Sequence, residues 1–443
     1  VPAPRSIYKG INKLPAAHTL LWQSGEISTR RYWDLSFDKG PEKIPLTEAT
    51  DSLKQKLSDS VKIRLVSDVP LGVLLSGGID SSTIAAFAQH HSAKKIKTFS
   101  IGFEEASFDE SDHAREVARH LGTDHFEDRL SVETAKDLIA EIGEWLDEPL
   151  ADGSLLPTFL LSRFVREHVT VALGGDGGDE IFAGYPMYFA HKLSGVYDAI
   201  PKVVRSRLIQ PIVNRLPSST DNISFDYKAK RFVSSAKYDR VARHHSWFGS
   251  FSPDQRELIL NGRVLNTNKG FEVYQTARKL LENCDAENEI EQMQYLDMNF
   301  YLAEDILTKV DRASMAVSLE VRAPFLDHTV AEYAASLPAE YKLKGNKTKF
   351  ILKEAVKDML PENIIKRQKK GFGIPIAQWL KGSLNPLMND LLANERISAQ
   401  GFFDPSFVRK LITEHEQGIR NNYKQLWNLL VFQIWYDRFS KKN

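Results

Sequence analysis

Residues 76–82 read Ser-Gly-Gly-Ile-Asp-Ser-Ser, a set of types suited to holding an anion. Gly77 and Gly78 let backbone N–H groups approach a ligand, and Ser76, Ser81 and Ser82 add hydroxyl donors. Asp80 would repel a bare phosphate. It fits once a divalent cation lies between them, because Mg²⁺ takes carboxylate and phosphate oxygens together. A second run, Gly174-Gly175-Asp176-Gly177-Gly178-Asp179-Glu180, packs acids among glycines. Such a run is costly in backbone entropy and like-charge repulsion, more than a structural turn needs. Two carboxylates facing a cation make sense of it, so Asp80 and Asp179 are expected to share one Mg²⁺. A solvated acidic loop is the plain alternative.

Both runs need elements that aim them. Val73, Leu74 and Leu75 precede the first and have the apolar character of a buried parallel strand. Ile84, Ala85, Phe87 and Ala88 follow at helical spacing. Strand, glycine turn and helix start together direct unpaired N–H groups and the helix dipole at one spot. From 70 to about 190 this rhythm continues, with strands expected at Val73–Leu75, Lys97–Ile101 and Val169–Leu173. Helices are expected at Ile79–His90, Asp112–Leu121, Val132–Trp145 and Pro157–Glu167, and an amphipathic helix over 45–66. The reading is an α/β fold, a parallel twisted sheet flanked by helices, with ligands at the carboxyl ends of its strands. A helical C-terminal part follows from residue 291, and short strands and turns fill residues 1–40. Residues 191–290 offer no chemistry that composition or spacing reveals.

The 443 residues exceed one average domain, and 58 basic against 58 acidic side chains make no electrostatic case for nucleic acid or an anionic membrane. No run approaches the ~20 apolar residues of a membrane span. Cys284 stands alone, which removes a disulfide framework and a cysteine metal cluster. Cytoplasm is the expected compartment.

The first run is neither Gly-x-x-x-x-Gly-Lys-Ser/Thr nor Gly-x-Gly-x-x-Gly. It resembles the pyrophosphate loop of the ATP-pyrophosphatase enzymes, which split ATP into AMP and pyrophosphate. Further runs narrow the resemblance: 175–185, Asp147-Glu148-Pro149, Lys309–Ala316, Glu320–Asp327 and Lys369–Pro375. With these, the chain resembles the synthetase domain of bacterial glutamine-hydrolysing asparagine synthetases from residue 1 to about 435.

That resemblance implies ATP at Leu74, Ile101, Gly174 and Gly175, with its pyrophosphate on Ser76, Gly77, Gly78, Asp80, Ser81 and Ser82. It implies Mg²⁺ as the accompanying ion. It places Lys349 on the phosphates and the acyl-adenylate. Asp176 falls where relatives carry glutamate beside the reacting carbonyl, on a shorter arm. The implied reaction adenylates a carboxylate, aspartate first, and passes it to ammonia. A sugar or peptide carboxylate, an internal amine as in β-lactam-forming relatives, and a non-catalytic nucleotide-binding module stay open. Arg322 either holds a substrate carboxylate or pairs with Glu320 or Asp327. Arg367, Lys369 and Lys370, around Gly371 and Gly373, form either a basic loop closing over phosphates or a solvated one. The relatives carry an amino-terminal glutaminase domain with a cysteine nucleophile. Residues 1–40 resemble its last strands, and 41–443 the synthetase domain, as in a protein cut within the first domain or a divergent one. With Val1 at the start, ammonia rather than glutamine is the expected nitrogen source, although glutamine serves the full-length relatives. The resemblance admits a homodimer, while the sequence gives no oligomeric state.

Overall fold

Strands β1 (His18–Gln23) and β2 (Glu26–Arg31) pair as an antiparallel hairpin through Ser24 and Gly25, both at positive φ. Strands β3 (Leu71–Leu74), β4 (Lys97–Phe103), β5 (Asp124–Leu130), β6 (Val171–Leu173) and β7 (Glu320–Arg322) form a parallel sheet in the order β5-β4-β3-β6-β7. Val73 faces Thr98 on one side and Leu173 on the other. This computed structural model describes residues 1–38, 44–105, 107–217, 224–267, 272–369 and 371–440. The boundary after residue 40 lies outside the described residues.

The sheet is covered on both faces. Helices α1 (Leu46–Arg64), α2 (Ile79–His90) and α3 (Ser111–Leu121) bury Leu53, Leu57, Ile84 and Val117 on one side. Helices α4 (Val132–Trp145) and α5 (Leu155–Arg166) bury Leu138, Ile142, Phe159 and Leu160 on the other. Ser81–Ala88 are buried all round, which is why α2 shows no polar stripe. The α/β reading holds, and α2 and α4 have the bounds their spacing gave. β5 and β7 are additions: Asp-His-Phe-Glu-Asp-Arg-Leu is polar because β5 is a partly exposed edge, and β7 is only Glu-Val-Arg. No helix among the described residues is long and apolar enough to cross a membrane.

The chain runs β3, β4, β5 in one direction and then returns through β6 and β7 in the other. The order reverses between β3 and β6, the place where open α/β sheets leave a crevice for ligands. Each acidic glycine run leaves one of those two neighbouring strands.

Candidate active site

Asp80 lies in the first turn of α2, and Asp179 in the short helix Gly178–Ile181 after β6. The glycines between β6 and that helix let the second turn dock on the first. A Cβ at Gly178 would sit 2.7 Å from Asp80 Oδ1, and one at Gly175 would sit 2.9 Å from the Ser81 backbone nitrogen. Ser81 Oγ accepts from the Ser76 amide at 3.1 Å, closing the first loop on itself.

Two lysines meet these carboxylates. Lys349 caps the helix Phe350–Val356 from a left-handed backbone position, φ 53°, and its amide donates to the Phe182 carbonyl at 3.2 Å. Its side chain is 2% exposed, and Nζ pairs with Asp80 and with Asp179 Oδ1 at 2.6 Å. Lys369 Nζ stands 2.6 Å from Asp179 Oδ2. Burial pushes the Asp179 carboxyl up, but Lys349 and Lys369 outweigh it and bring it down to about 2. Asp80 moves up instead: burial dominates, Lys349 only partly offsets it, and the Asp179 charge adds to the rise. Burial would lower Lys369, yet Asp179 and Asp80 raise it, so its charge is retained.

Asp80 Oδ1 is buried without a hydrogen-bond partner. Two carboxylates with an open oxygen suit Mg²⁺, which is typically held by one or two carboxylates plus phosphates and water. No cluster of three potential ligands occurs among the described residues, so an all-protein metal cage is not what this site offers. Asp80 and Asp179 fit the ion.

Leu74, Ser76, Gly78, Asp80, Ser81, Ile101, Gly174, Gly175, Asp176, Asp179 and Lys349 all line one cleft. Gly77 and Ser82 do not face it. Ser82 is fully buried in α2, and the Gly77 carbonyl accepts from Arg367 at 3.1 Å. Arg367 also pairs with Glu110, so the basic segment already lies across the first loop. Lys370 lies outside the described residues. Arg322 is structural here, bonding to Glu320 at 2.6 Å and to the carbonyls of Arg64 and Val66.

Three further groups line the cleft that residue types alone did not single out. Lys309 donates to Ser154 Oγ at 2.9 Å and lies 3.4 Å from Asp152. Burial would lower it, but Asp152, Asp176 and Asp305 keep it charged. Asp176, raised by burial and partly offset by Lys309, shares this neighbourhood. Asp305 is pushed up to about 7 by burial and by Asp152. Glu180 accepts from the Tyr185 hydroxyl at 2.6 Å and is pushed up to about 8, first by burial and then by Asp179. Such shifts cluster where chemistry is done. Lys309 stood within a resembling run, and Glu180 within the second acidic run. Their burial, which gives them these properties, has no signature in local sequence.

The sequence profile of the asparagine synthase family matches residues 52–437. An asparagine synthetase (glutamine-hydrolysing) 1 of Bacillus subtilis is 29% identical over 442 residues, covering 98% of this chain and 66% of its own length. A putative asparagine synthetase (glutamine-hydrolysing) of Mycobacterium bovis is 31% identical over 448 residues, with 99% and 66% covered. An amidase of Penicillium rubens is 28% identical over 456 residues, covering 90% of this chain and 64% of itself. The chain thus spans just under two thirds of the length of these relatives. A profile matched along most of the chain, with both acidic turns inside it, decides the assignment: the chain belongs to the asparagine synthase family.

Proposed function

We infer that this chain uses ATP to convert a carboxylate to its amide through an acyl-adenylate. The carrying observation is the convergence of Asp80, Asp179, Lys349 and Lys369 at the point where the strand order reverses. A carboxylate oxygen attacks the α-phosphorus of ATP, and the bond to the β-phosphate bridge breaks. Lys349, Lys369 and the backbone of the Ser76–Ser81 loop face the departing pyrophosphate and stabilise its charge. Asp80 and Asp179 would hold Mg²⁺, whose charge, when bound, further offsets that of the pyrophosphate. Ammonia then attacks the acyl carbon, and AMP leaves with the former carboxylate oxygen. We assign to Asp176, half-buried and with its carboxyl raised, the proton that ammonia sheds.

Aspartate is the acceptor, and glutamine or ammonia the nitrogen source, that the relatives' names bring to this chain. Residues 1–40 are read as trailing strands of a glutaminase domain, supported by the β1–β2 hairpin. A non-catalytic nucleotide-binding module would have no use for a buried lysine and a second, partly exposed one on two carboxylates. The test is product analysis with ATP, Mg²⁺, ammonium and a carboxylate panel led by aspartate. AMP and pyrophosphate are expected in equal amounts, and Asp179→Asn should form neither. ADP and phosphate as the stoichiometric products would overturn the reading.

A further inference from the structure

The cleft that holds the acidic turns encloses about 1480 Å³. A pocket for a single drug-sized ligand typically measures roughly 300–1,000 Å³. Beside a nucleotide there is space for a second ligand of that class, well beyond a small open-chain acid such as aspartate.

The chemistry of the extra space is aromatic. Past Lys309 and Asp152 the walls are Tyr185, Phe248 and Tyr301, all half-buried and all lining the cleft. The Phe248 and Tyr301 rings lie 4.3 Å apart, and Tyr185 meets them edge-on at 5.9 and 6.0 Å. A core would bury such rings on every side. Here each is only partly buried and lines the void, and apolar surface left uncovered in this way marks a binding surface.

The wall is also fixed in place. Phe248 ends the helix Arg240–Phe248, whose last carbonyls are held from across the cleft. Arg231 donates to the carbonyls of Ser246 at 2.8 Å and Gly249 at 2.6 Å, and Lys424 donates to that of Phe248 at 3.0 Å. Both side chains also line the cleft and lie over the Tyr227 ring, so the ring faces are flanked by fixed positive charge. Tyr301 sits in the π-helical stretch Asp297–Ile306, a form frequent at functional sites, which also turns Glu304 and Asp305 into the cleft.

We propose that the acceptor is a carboxylate carried on a ring-bearing body, which stacks on Tyr301 and Phe248 while its carboxylate reaches the α-phosphate beside Lys309 and Asp176. This rests on the adenylating reading above for where the carboxylate goes. Two sources share the chemistry: a sugar acid and an aromatic acid.

Calorimetric binding to the full chain, with Mg²⁺ and a non-hydrolysable ATP analogue, compares glucuronate, indole-3-acetate and aspartate. At least one ring acid should bind about tenfold or more tighter than aspartate. Tyr301→Leu should weaken that ring acid about tenfold and move aspartate less than twofold, with Phe248→Leu as the second variant should the first not fold. Aspartate binding as well as or better than both ring acids, no binding by either, or equal effects of the variants on all three would overturn the proposal. ATP–pyrophosphate exchange separates the two readings. Exchange with aspartate alone sustains adenylation and rejects the ring-bearing acceptor. Tight ring-acid binding with no exchange from any of the three acids rejects adenylation and leaves only the ring-binding wall standing.

Discussion

Holding a lysine in a left-handed backbone conformation, 2% exposed and between two carboxylates, costs strain and desolvation that folding alone gives no reason to bear. Charge builds on the α-phosphate and the departing pyrophosphate during attack, so a lysine aimed there acts on the transition state more than on bound ATP. Lys349→Ala should therefore lower kcat by roughly 10²–10³ while raising the KM for ATP less. The exposed Lys347→Ala is the control, and equal mild defects in both would reduce Lys349 to part of a basic surface. Glu180 allows a test by pH. Its carboxyl rises from 4.5 to about 8 on folding, so the folded state binds the extra proton. Its contribution is fully present below pH 4.5 and is lost as pH rises through about 8, so stability should fall across that window. Glu180→Gln should flatten the fall, measured as melting temperature at pH 5 and pH 8. An unchanged slope would show that Glu180 is not the group involved. Asp80 and Asp179 stand out in the sequence because their neighbours are unusual, whereas Lys349 is named only through the family resemblance. Glu180 stands in the same acidic run, but its raised proton affinity, like the pairing of Lys309 with Asp152, comes from burial and partners far along the chain.

At the scale of elements, the second acidic turn is shaped by close approach as much as by charge. A Cβ at Gly184 would lie 2.0 Å from Lys349 Cε and 2.1 Å from Asp179 Oδ1, so the loop after the Gly178–Ile181 helix has no room for one. Gly184→Ala should cost about 1–3 kcal/mol and remove activity by parting the lysine from its carboxylates. Gly195, inside the helix Pro186–Asp198, has nothing within 4 Å of an added Cβ. Gly195→Ala should gain about 0.5–1 kcal/mol and leave activity intact, which thermal melts beside turnover would check. Helices whose apolar residues are continuous or fall in a clear stripe, such as α2 and α4, could be read to the residue. β5 and β7 could not, since an edge strand exposes polar side chains and three residues show no alternation. Residues 191–290 were chemically silent in sequence for a related reason: their aromatics are spread over several helices, and only packing gathers Phe248 with Tyr185 and Tyr301.

For the molecule as a whole, the parallel sheet places both acidic turns on neighbouring strands, and the helical layer walls off the space beyond them. The strand-and-helix alternation and the two glycine runs gave the first of these from sequence. The second depends on contacts between segments far apart in the chain, which local pattern does not encode. The architecture has one chemical consequence that separates it from other ways of activating an acid. If the carboxylate attacks the α-phosphorus, one of its own oxygens must end on AMP. Single-turnover reaction with an acceptor labelled with ¹⁸O in its carboxylate, followed by mass spectrometry of the nucleotide, reads this directly. The account expects AMP carrying one ¹⁸O atom and unlabelled pyrophosphate; unlabelled AMP, or label recovered in inorganic phosphate beside ADP, would contradict it.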